Sequence, residues 1–410
     1  MKIFLSILFT LLWLTCTCTW TPPEKITSST AESSFPQIYI DPMTRITHMV
    51  WIENPSTEFK LVYSRKNPGG KPTTPIVLEA RYRPRLSDII GEGDGKHIMV
   101  TYDAKRAQGD SNDCTPEDER GCYEIYFIES LNGGDTWSRP VMITRDNLKD
   151  KKDRKGPKVV YVKENKMTFI TYFCQGAMAF AKREGGGSFT KEIIMPFGER
   201  TAYQSMTYTV NPSTKKVKLH FTYTEWAYPL EWLLYTSSSD FGATWTDRRT
   251  LAINRHESNY DSYIRAFAVG DNDIVPGGIF VTFIRDNKVM LIWSKDEGNT
   301  WSRALNTNSD DAVAPRIQLC RQPNNRPPKV YLLFALRTSK ERNSFVFGTL
   351  DTSTDTYKNN ELPFTGLMFN WNYVVDCYLD GNKAVAAAIV ESFDEDLNYI
   401  FLSYNDNVLP

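Results

Sequence analysis

The sequence is poor in several features on which common activities depend. Only four histidines occur in 410 residues, and none is paired at the spacing of metal ligands. There is no Gly-x-Ser-x-Gly turn for a serine nucleophile and no glycine-rich phosphate loop. The formal net charge is −1, so the overall charge does not indicate a polyanion-binding protein. We therefore expect no metal, no cofactor and no nucleic-acid partner.

Long apolar runs are also scarce, and the most prominent one lies at the N terminus. Residues 3–14 are apolar and follow a lysine, but the run is too short to span a membrane. Cys16 and Cys18 are small residues at the −3 and −1 positions of a cleavage site. This pattern predicts a secreted protein without a membrane span, with a signal peptide at residues 1–18 and one mature domain at residues 19–410. A lipoprotein signal around Cys16 is the alternative.

Secretion would permit disulfide bonds in the mature chain. Cys114 and Cys122 flank a short acidic loop, and we predict that they form a disulfide. Cys174, Cys320 and Cys377 lie in apolar stretches, which predicts buried thiols. No Asn-x-Ser/Thr sequon occurs, because proline blocks both candidates, so we expect no N-glycans.

One eight-residue pattern recurs along the chain. Residues 238–245 read Ser-Ser-Asp-Phe-Gly-Ala-Thr-Trp, and residues 130–137 and 294–301 repeat the pattern, the first of these with asparagine for aspartate. The aspartate can accept hydrogen bonds from the turn backbone, the glycine can adopt a positive φ, and the tryptophan can pack against neighbouring strands. The pattern predicts hairpin turns whose structural residues are Asn132, Trp137, Asp240, Trp245, Asp296 and Trp301.

These segments match the Asp box, Ser-x-Asp-x-Gly-x-Thr-Trp, and the chain resembles the sialidase-like (BNR repeat) β-propellers. In that family the box joins the third and fourth strands of a blade, on the face opposite the usual ligand site. A degenerate copy begins at Lys182 and a worn copy lies near residues 350–357, which gives a period of about 56 residues. That period suits a four-stranded blade.

The strand-like runs divide into seven such units, of which the last lacks a fourth strand. Residues 19–27 resemble the second half of an Asp box with its outgoing strand, and residues 403–407 would supply the first half. We therefore predict an all-β propeller of seven four-stranded blades, closed by the N-terminal strand in the last blade. Sialidases of this family have six blades, and the unit at about residues 36–80 has no clear box. Six blades with a flanking hairpin is therefore the alternative.

The face opposite the boxes is predicted to be a basic ring of strand starts and strand ends. Forked arginine contacts there could hold an anionic ligand, although the same charges could instead satisfy one another around a water-filled channel. The predicted ligand-binding residues are Arg83, Arg85, Arg106, Arg265, Arg316, Arg337 and Glu391. The mixed charge run at residues 151–155 is predicted to be a solvated loop instead.

The resemblance also implies catalytic roles, because sialidases use an arginine triad, an acid/base aspartate and a nucleophilic tyrosine paired with a glutamate. The positions that the resemblance implies for catalysis are Asp103, Asp110, Asp113, Tyr373 and Glu225. Tyr82 stands where the family has its first arginine, and Arg83 and Arg85 have the opposite strand parity. Lys105 replaces the arginine of the family's Asp-x-Arg motif. Arg337 resembles the second arginine of the triad, and the third arginine has no counterpart. An incomplete set argues against catalysis, because its members act as a unit.

The intact fold motifs beside an incomplete catalytic set predict a secreted Asp-box propeller that binds an extracellular glycan or glycoprotein on the face opposite the boxes. An exo-sialidase or another glycoside hydrolase is the first alternative. A non-catalytic adhesion or assembly scaffold is the second.

Overall fold

The computed structural model describes residues 21–27, 32–54, 59–81, 83–105, 123–144, 153–196, 201–227, 229–255, 267–269, 275–286, 288–307, 312–320, 329–337, 343–361, 368–380, 383–394 and 397–405. Within these ranges the chain forms 28 strands and no helix. The described residues therefore contain no helix long and apolar enough to cross a membrane. The strands form seven four-stranded antiparallel sheets. Each sheet contacts the next and the last contacts the first, so that the sheets form a closed ring of blades.

The first three blades follow the chain in order. Blade one contains β2 (Glu32–Ile40), β3 (Thr47–Asn54), β4 (Lys60–Lys66) and β5 (Ile76–Glu79). Blade two contains β6 (Pro84–Gly91), β7 (Ile98–Lys105), β8 (Tyr123–Ser130) and β9 (Val141–Met142). Blade three contains β10 (Arg154–Val162), β11 (Met167–Cys174), β12 (Ala177–Glu184) and β13 (Ile193–Ile194).

The remaining blades continue the same order, except that the N-terminal strand β1 (Glu24–Lys25) joins the last sheet. Blade four contains β14 (Thr201–Val210), β15 (Val217–Ala227), β16 (Leu230–Ser238) and β17 (Arg249–Arg255). Blade five contains β18 (Phe267–Val269), β19 (Ile279–Arg285), β20 (Lys288–Ser294) and β21 (Leu305–Asn306). Blade six contains β22 (Ala312–Cys320), β23 (Lys329–Arg337), β24 (Asn343–Asp351) and β25 (Thr356–Glu361), and blade seven contains β26 (Met368–Asp380), β27 (Lys383–Asp394), β28 (Leu397–Asn405) and β1.

Burial along the strands reflects their position in the ring. In β2, Ile38 and Ile40 are buried while Gln37 and Tyr39 are half-buried, which is the alternation of a strand with one covered face. In contrast, the second strand β7 is buried from Ile98 to Ala104. A blade packs against a neighbour on each side, so its middle strands are covered on both faces and read as nearly continuous apolar runs.

Blade one is enclosed between two neighbours rather than flanking the ring. On one side Met49 and Trp51 share a buried cluster with Ile389 of blade seven. On the other side Val50 and Ile52 share a cluster with the buried strands of blade two. The unit without a clear Asp box is therefore a complete blade.

The extent of the predicted N-terminal strand needs correction. The prediction placed a box half and an outgoing strand over residues 19–27, and within the described residues 21–27 the strand is Glu24–Lys25. Glu24 lies opposite Leu402 of β28, and the Ile26 amide donates a hydrogen bond to the Ile400 carbonyl at 2.9 Å. The predicted split Asp box lies largely outside the described residues, because residues 19, 20, 406 and 407 belong to the ends that the structure does not describe.

The three box segments share one hydrogen-bond pattern. Asp240 Oδ1 accepts hydrogen bonds from Ser238 Oγ at 2.7 Å and from the Thr244 amide at 2.8 Å, and its Oδ2 accepts from Thr244 Oγ1 at 2.6 Å. The segment at residues 294–301 repeats these contacts. Asn132 reproduces them with its amide, accepting from the Thr136 amide and donating to Thr136 Oγ1, both at 2.9 Å. Asparagine is therefore tolerated because the turn needs an acceptor and one further polar atom, not a charge.

Two of the boxes pack against a tyrosine of the preceding blade. A Cβ added to Gly134 would lie 2.0 Å from the Tyr63 hydroxyl, and one added to Gly298 would lie 1.9 Å from the Tyr235 hydroxyl. The tryptophan of each box packs edge-on against the same ring, at centroid distances of 4.8 Å for Tyr63 and 5.0 Å for Tyr235. These glycine–tyrosine junctions join blade one to blade two and blade four to blade five.

The cysteine predictions need one correction. Cys320 at the end of β22 forms a disulfide with Cys377 in β26, with Cα atoms 5.9 Å apart, so the prediction that both stay thiols is wrong. The prediction of burial is correct for Cys320, whereas Cys377 is half-buried. The sequence does not show that the first strands of neighbouring blades place the two residues side by side. The prediction of a buried thiol is confirmed for Cys174. Cys114 and Cys122 lie outside the described residues, and their disulfide stays a prediction.

Removal of the Cys320–Cys377 disulfide is expected to destabilise the protein by about 2–4 kcal/mol, because the bond closes a long loop in the unfolded chain. The two cysteines are 57 residues apart in sequence. Comparison of guanidinium unfolding midpoints for the wild type and a Cys320→Ser/Cys377→Ser variant measures the loss. An unchanged midpoint would contradict the expected constraint.

Candidate ligand-binding site

Side chains of blades two and three meet at the face opposite the Asp boxes, which we call the mouth. First strands begin there, second strands end there, and third strands begin there. A β-bulge near the start of the first strand occurs in all blades except blade five, where that segment lies outside the described residues. Such bulges bend a strand and redirect its side chains. The mouth cluster consists of Arg83, Arg85, Asp103, Lys105, Tyr123, Asp153 and Lys155.

Asp103 is the buried anchor of this cluster. Its side chain is fully buried, and Oδ2 accepts a hydrogen bond from Arg85 Nη2 at 2.8 Å and from the Gly156 amide at 3.2 Å. Oδ1 accepts from the Leu86 amide at 2.7 Å. Burial raises the pKa of Asp103 above its usual range, whereas Arg85 and the two amides oppose that rise. Asp103 therefore connects blade two to blade three, and both of its oxygens are occupied by protein donors.

Arg85 is fixed from two sides. Asp103 holds one end of its guanidinium, and the Tyr123 ring lies 4.0 Å from its Cζ. The Lys105 ammonium lies 6.0 Å from the same ring. About a third of the Arg85 side chain stays exposed, at 30% of its reference area. A guanidinium held by a carboxylate and an aromatic face loses little further freedom when it binds a ligand.

The cations of the mouth cluster are more exposed than the carboxylates that pair with them. Arg83 is exposed, with its Cζ 5.5 Å from the Phe59 ring and a left-handed φ of 50°. Lys155 pairs with Asp153, but its side chain is 37% exposed against 16% for the aspartate. Together with the fully buried Asp103, this asymmetry leaves a basic surface for a ligand to contact.

A buried arginine, Arg154, lies between Asp153 and Lys155 of the mouth cluster. Arg154 is fully buried and binds Glu192 through Nε at 2.7 Å and Nη2 at 3.1 Å. Its Nη1 lies 3.3 Å from Glu124, which also accepts a hydrogen bond from Thr144 Oγ1. The prediction of a solvated loop is therefore wrong for Arg154, whereas Asp153 and Lys155 stay partly exposed and residues 151–152 lie outside the described ranges. Local charge density suggested solvent, but Glu124 in β8 and Glu192 just before β13 neutralise Arg154 inside the protein.

The other predicted site residues that the structure describes lie on blades four, six and seven. Glu391 is buried and accepts a hydrogen bond from the Phe35 amide at 3.0 Å. Glu225 pairs with Arg248 at 2.7 Å. Arg316 is half-buried in β22, Arg337 ends β23, and Tyr373 lies in β26 opposite Val390. The remaining predicted residues, Arg106, Asp110, Asp113 and Arg265, lie outside the described residues.

The sequence interpretation missed three members of the cluster, Tyr123, Asp153 and Lys155. Tyr123 begins the third strand of blade two, opposite Lys105 at the end of the second. Because neighbouring strands are antiparallel, third-strand starts share a face with second-strand ends, and that rule would have found Tyr123. No group of three or more histidine, cysteine, aspartate or glutamate side chains that could hold a metal ion occurs in the described ranges.

Comparisons with known proteins show a fold and no close relative. No protein-family model matches the chain, and no curated protein matches its sequence. Among solved structures, the polysaccharide lyase Uly1 is 10% identical with a TM-score of 0.52 and covers 90% of this chain and 89% of its own. AofleA from Arthrobotrys oligospora is 11% identical with a TM-score of 0.50 and covers 81% and 87%. The NanB sialidase from Streptococcus pneumoniae is 12% identical with a TM-score of 0.49 and covers 95% and 70%. At these identities the similarity concerns the fold alone, and for the fold the predicted resemblance to sialidase-like propellers is confirmed.

Proposed function

We propose that this chain is a secreted propeller that binds an extracellular glycan through the mouth cluster. The observation that carries the proposal is the basic, partly exposed surface of Arg83, Arg85 and Lys105 around Tyr123, above buried carboxylates. Such a surface offers several hydrogen-bond donors and an aromatic ring to a polyhydroxylated ligand. The fold similarity to proteins named as a polysaccharide lyase and a sialidase supports a saccharide as the ligand.

The hydrogen bonds and ion pairs of the described carboxylates favour binding over hydrolysis. A general acid needs a proton that it can deliver to the substrate, within hydrogen-bond reach of the leaving oxygen. Both oxygens of Asp103 instead accept hydrogen bonds from the protein, and its side chain is fully buried. Glu225, the predicted base, is paired with Arg248. The contacts of Asp103 make it a rigid support for Arg85.

Secretion is supported by the N-terminal sequence and by the disulfide between Cys320 and Cys377, a bond that persists in oxidising compartments. An extracellular location would bring the mouth into contact with glycans and glycoproteins. Expression with the native N terminus, followed by mass determination of the protein in the medium, tests secretion and cleavage near residue 18.

The binding proposal is tested by incubating the purified chain with a printed panel of acidic and neutral glycans. Retention of one structural class, abolished by the soluble glycan as competitor, is the expected result. Because the exposed charges of the cluster are cationic, acidic glycans are expected to be retained more strongly than neutral ones at low salt. A folded chain that retains no glycan, or retains every acidic polymer equally, would sink the proposal.

An exo-sialidase is the second candidate function. It is favoured by the order of parts in blade two, where the arginines at 83 and 85 precede Asp103, which precedes a loop with two further aspartates. Hydrolysis of a fluorogenic sialoside by the wild type, lost in a Tyr373→Phe variant, would establish it. Absence of turnover by the folded chain leaves glycan binding as the proposed function.

A further inference from the structure

Two buried histidines occupy matching positions behind the glycine–tyrosine junctions. His48 Nδ1 lies 2.7 Å from the Tyr63 hydroxyl, and His220 Nδ1 lies 2.8 Å from the Tyr235 hydroxyl. Both imidazoles are fully buried and lie on the second strands of blades one and four. In each case the bonded hydroxyl is the atom that faces the box glycine of the next blade.

Neither imidazole has a carboxylate within hydrogen-bond distance among the described residues. The Nε2 of His48 is buried without a hydrogen-bond partner, and the Nε2 of His220 faces Thr209 Oγ1 at 2.7 Å. A protonated imidazole donates from both nitrogens and carries a charge that burial disfavours. Solvation of the charged imidazolium requires water at the ring. The tyrosine that covers the imidazole is also the surface against which the next blade packs.

We propose that the two histidine–tyrosine pairs are acid-sensitive latches, whose protonation opens the junctions between blades one and two and between blades four and five. The mechanism is local. The tyrosine moves to let water reach the imidazolium, and the box turn of the following blade then loses the ring against which its glycine and tryptophan pack. A secreted propeller would in this way respond to an acidic compartment or surface.

The surrounding charges do not cancel the effect. The groups that face His48 or its tyrosine are Asp41 in the turn after β2, Arg65 in β4, Asp135 in the box of blade two, and Tyr39 in β2, whose ring stacks on His48 at 6.0 Å. The groups that face His220 or its tyrosine are Lys218 in β15, Arg249 in β17, and Asp296 and Glu297 in the box of blade five. Burial is the largest influence in both sites, and it lowers the pKa of His48 to about 4 and that of His220 to about 3.

The direction of the pH effect follows from these shifts. Each folded pKa lies below the ordinary value of about 6.5, so each histidine contributes stability that is complete above pH 6.5. That stability is lost as the pH falls towards 4 for His48 and towards 3 for His220. His97 has the opposite dependence. It lies 2.6 Å from Glu92 and 2.8 Å from Glu129, which also binds Arg183, and these carboxylates raise its pKa against the effect of burial. Acid therefore retains the contacts of His97 while it weakens the two latches.

Amide hydrogen exchange at pH 7 and pH 5, corrected for the intrinsic rates, tests the proposal in the unmodified protein. Protection of residues 130–137 and 294–301 is expected to fall at least about tenfold at pH 5. The box at residues 238–245 is the internal control, because its Gly242 packs against Phe180, which does not titrate. Equal loss at all three boxes, or no loss at the first two, would overturn the proposal.

Two variants assign the response to the histidines. In a His220→Gln variant the pH-dependent loss is expected to vanish at residues 294–301 and to persist at residues 130–137, and His48→Gln is expected to give the converse. A His97→Gln variant is the matched control, because it removes a histidine without touching a latch, so both local responses should remain. A response that persists at its own junction without the histidine would contradict the assignment.

Discussion

Alanine in place of Gly134 or Gly298 is expected to destabilise the protein by about 2–5 kcal/mol, which is among the largest effects that a single methyl group can have here. Both glycines have left-handed backbones, with φ of 90° and 82°. A Cβ at either position would also lie at most 2.0 Å from a buried tyrosine hydroxyl. Strain and overpacking therefore add, and Tyr63 or Tyr235 would have to leave the junction. Guanidinium unfolding midpoints measure the loss.

Two other glycines separate the two causes. Gly69 and Gly185 are left-handed as well, with φ of 69° and 53°, but an added Cβ would meet no atom within 4 Å. Alanine at either position is expected to cost about 1–2 kcal/mol, from backbone strain alone. If Gly134→Ala costs no more than Gly69→Ala, the close packing between blade one and the box of blade two does not exist.

Replacement of Arg154 by methionine is expected to destabilise the protein by about 3–5 kcal/mol, because it leaves buried carboxylates without their cation. The side chains of Glu124 and Glu192 are 0% and 3% exposed, and both bind Arg154. Unfolding midpoints of the wild type and of the variant at pH 7 provide the measurement.

The matched control for Arg154 is Arg139→Met, which removes an exposed arginine just after the box of blade two. That variant is expected to change the free energy of unfolding by less than about 0.5 kcal/mol. An Arg154→Met/Glu124→Gln/Glu192→Gln variant should recover part of the loss, because the uncompensated charges are gone. Equal effects for the two arginines would show that Arg154 is not a buried partner of the glutamates.

Much of the fold follows from local sequence patterns. The Ser-x-Asp-x-Gly-x-Thr-Trp segments mark the turn between the third and fourth strands, and their spacing sets the length of a blade. Alternation and apolar runs then place the strands between the boxes. The weakest predictions concern fourth strands, such as Val141–Met142, which pair with one neighbour over only two residues. The local sequence of such a short edge strand differs little from that of a loop.

The features that the sequence did not predict depend on contacts between blades. In the sequence, Cys320 and Cys377 are two cysteines in separate apolar strands. Their disulfide becomes evident only when the first strands of blades six and seven are placed side by side. In the sequence, Arg154 is one member of a charged run. Only the structure shows that Glu124 and Glu192 bind it. At the mouth, Arg83 and Arg85 were identified from strand starts, whereas Tyr123 was missed because third-strand starts were not considered. Local patterns thus predict the blade, while the site requires the packing of neighbouring blades.

The central claim is that the mouth cluster, and not the box face, binds the glycan. An equilibrium titration of the retained glycan against two double variants tests it most directly. Arg83→Ala/Lys105→Ala removes two cations from the mouth, and Arg139→Ala/Arg303→Ala removes two exposed cations from the box side. The account predicts at least a tenfold rise in Kd for the first variant, a loss of about 1.4 kcal/mol or more, and an unchanged Kd for the second. Equal affinities of the two variants, or a loss confined to the second, would contradict it.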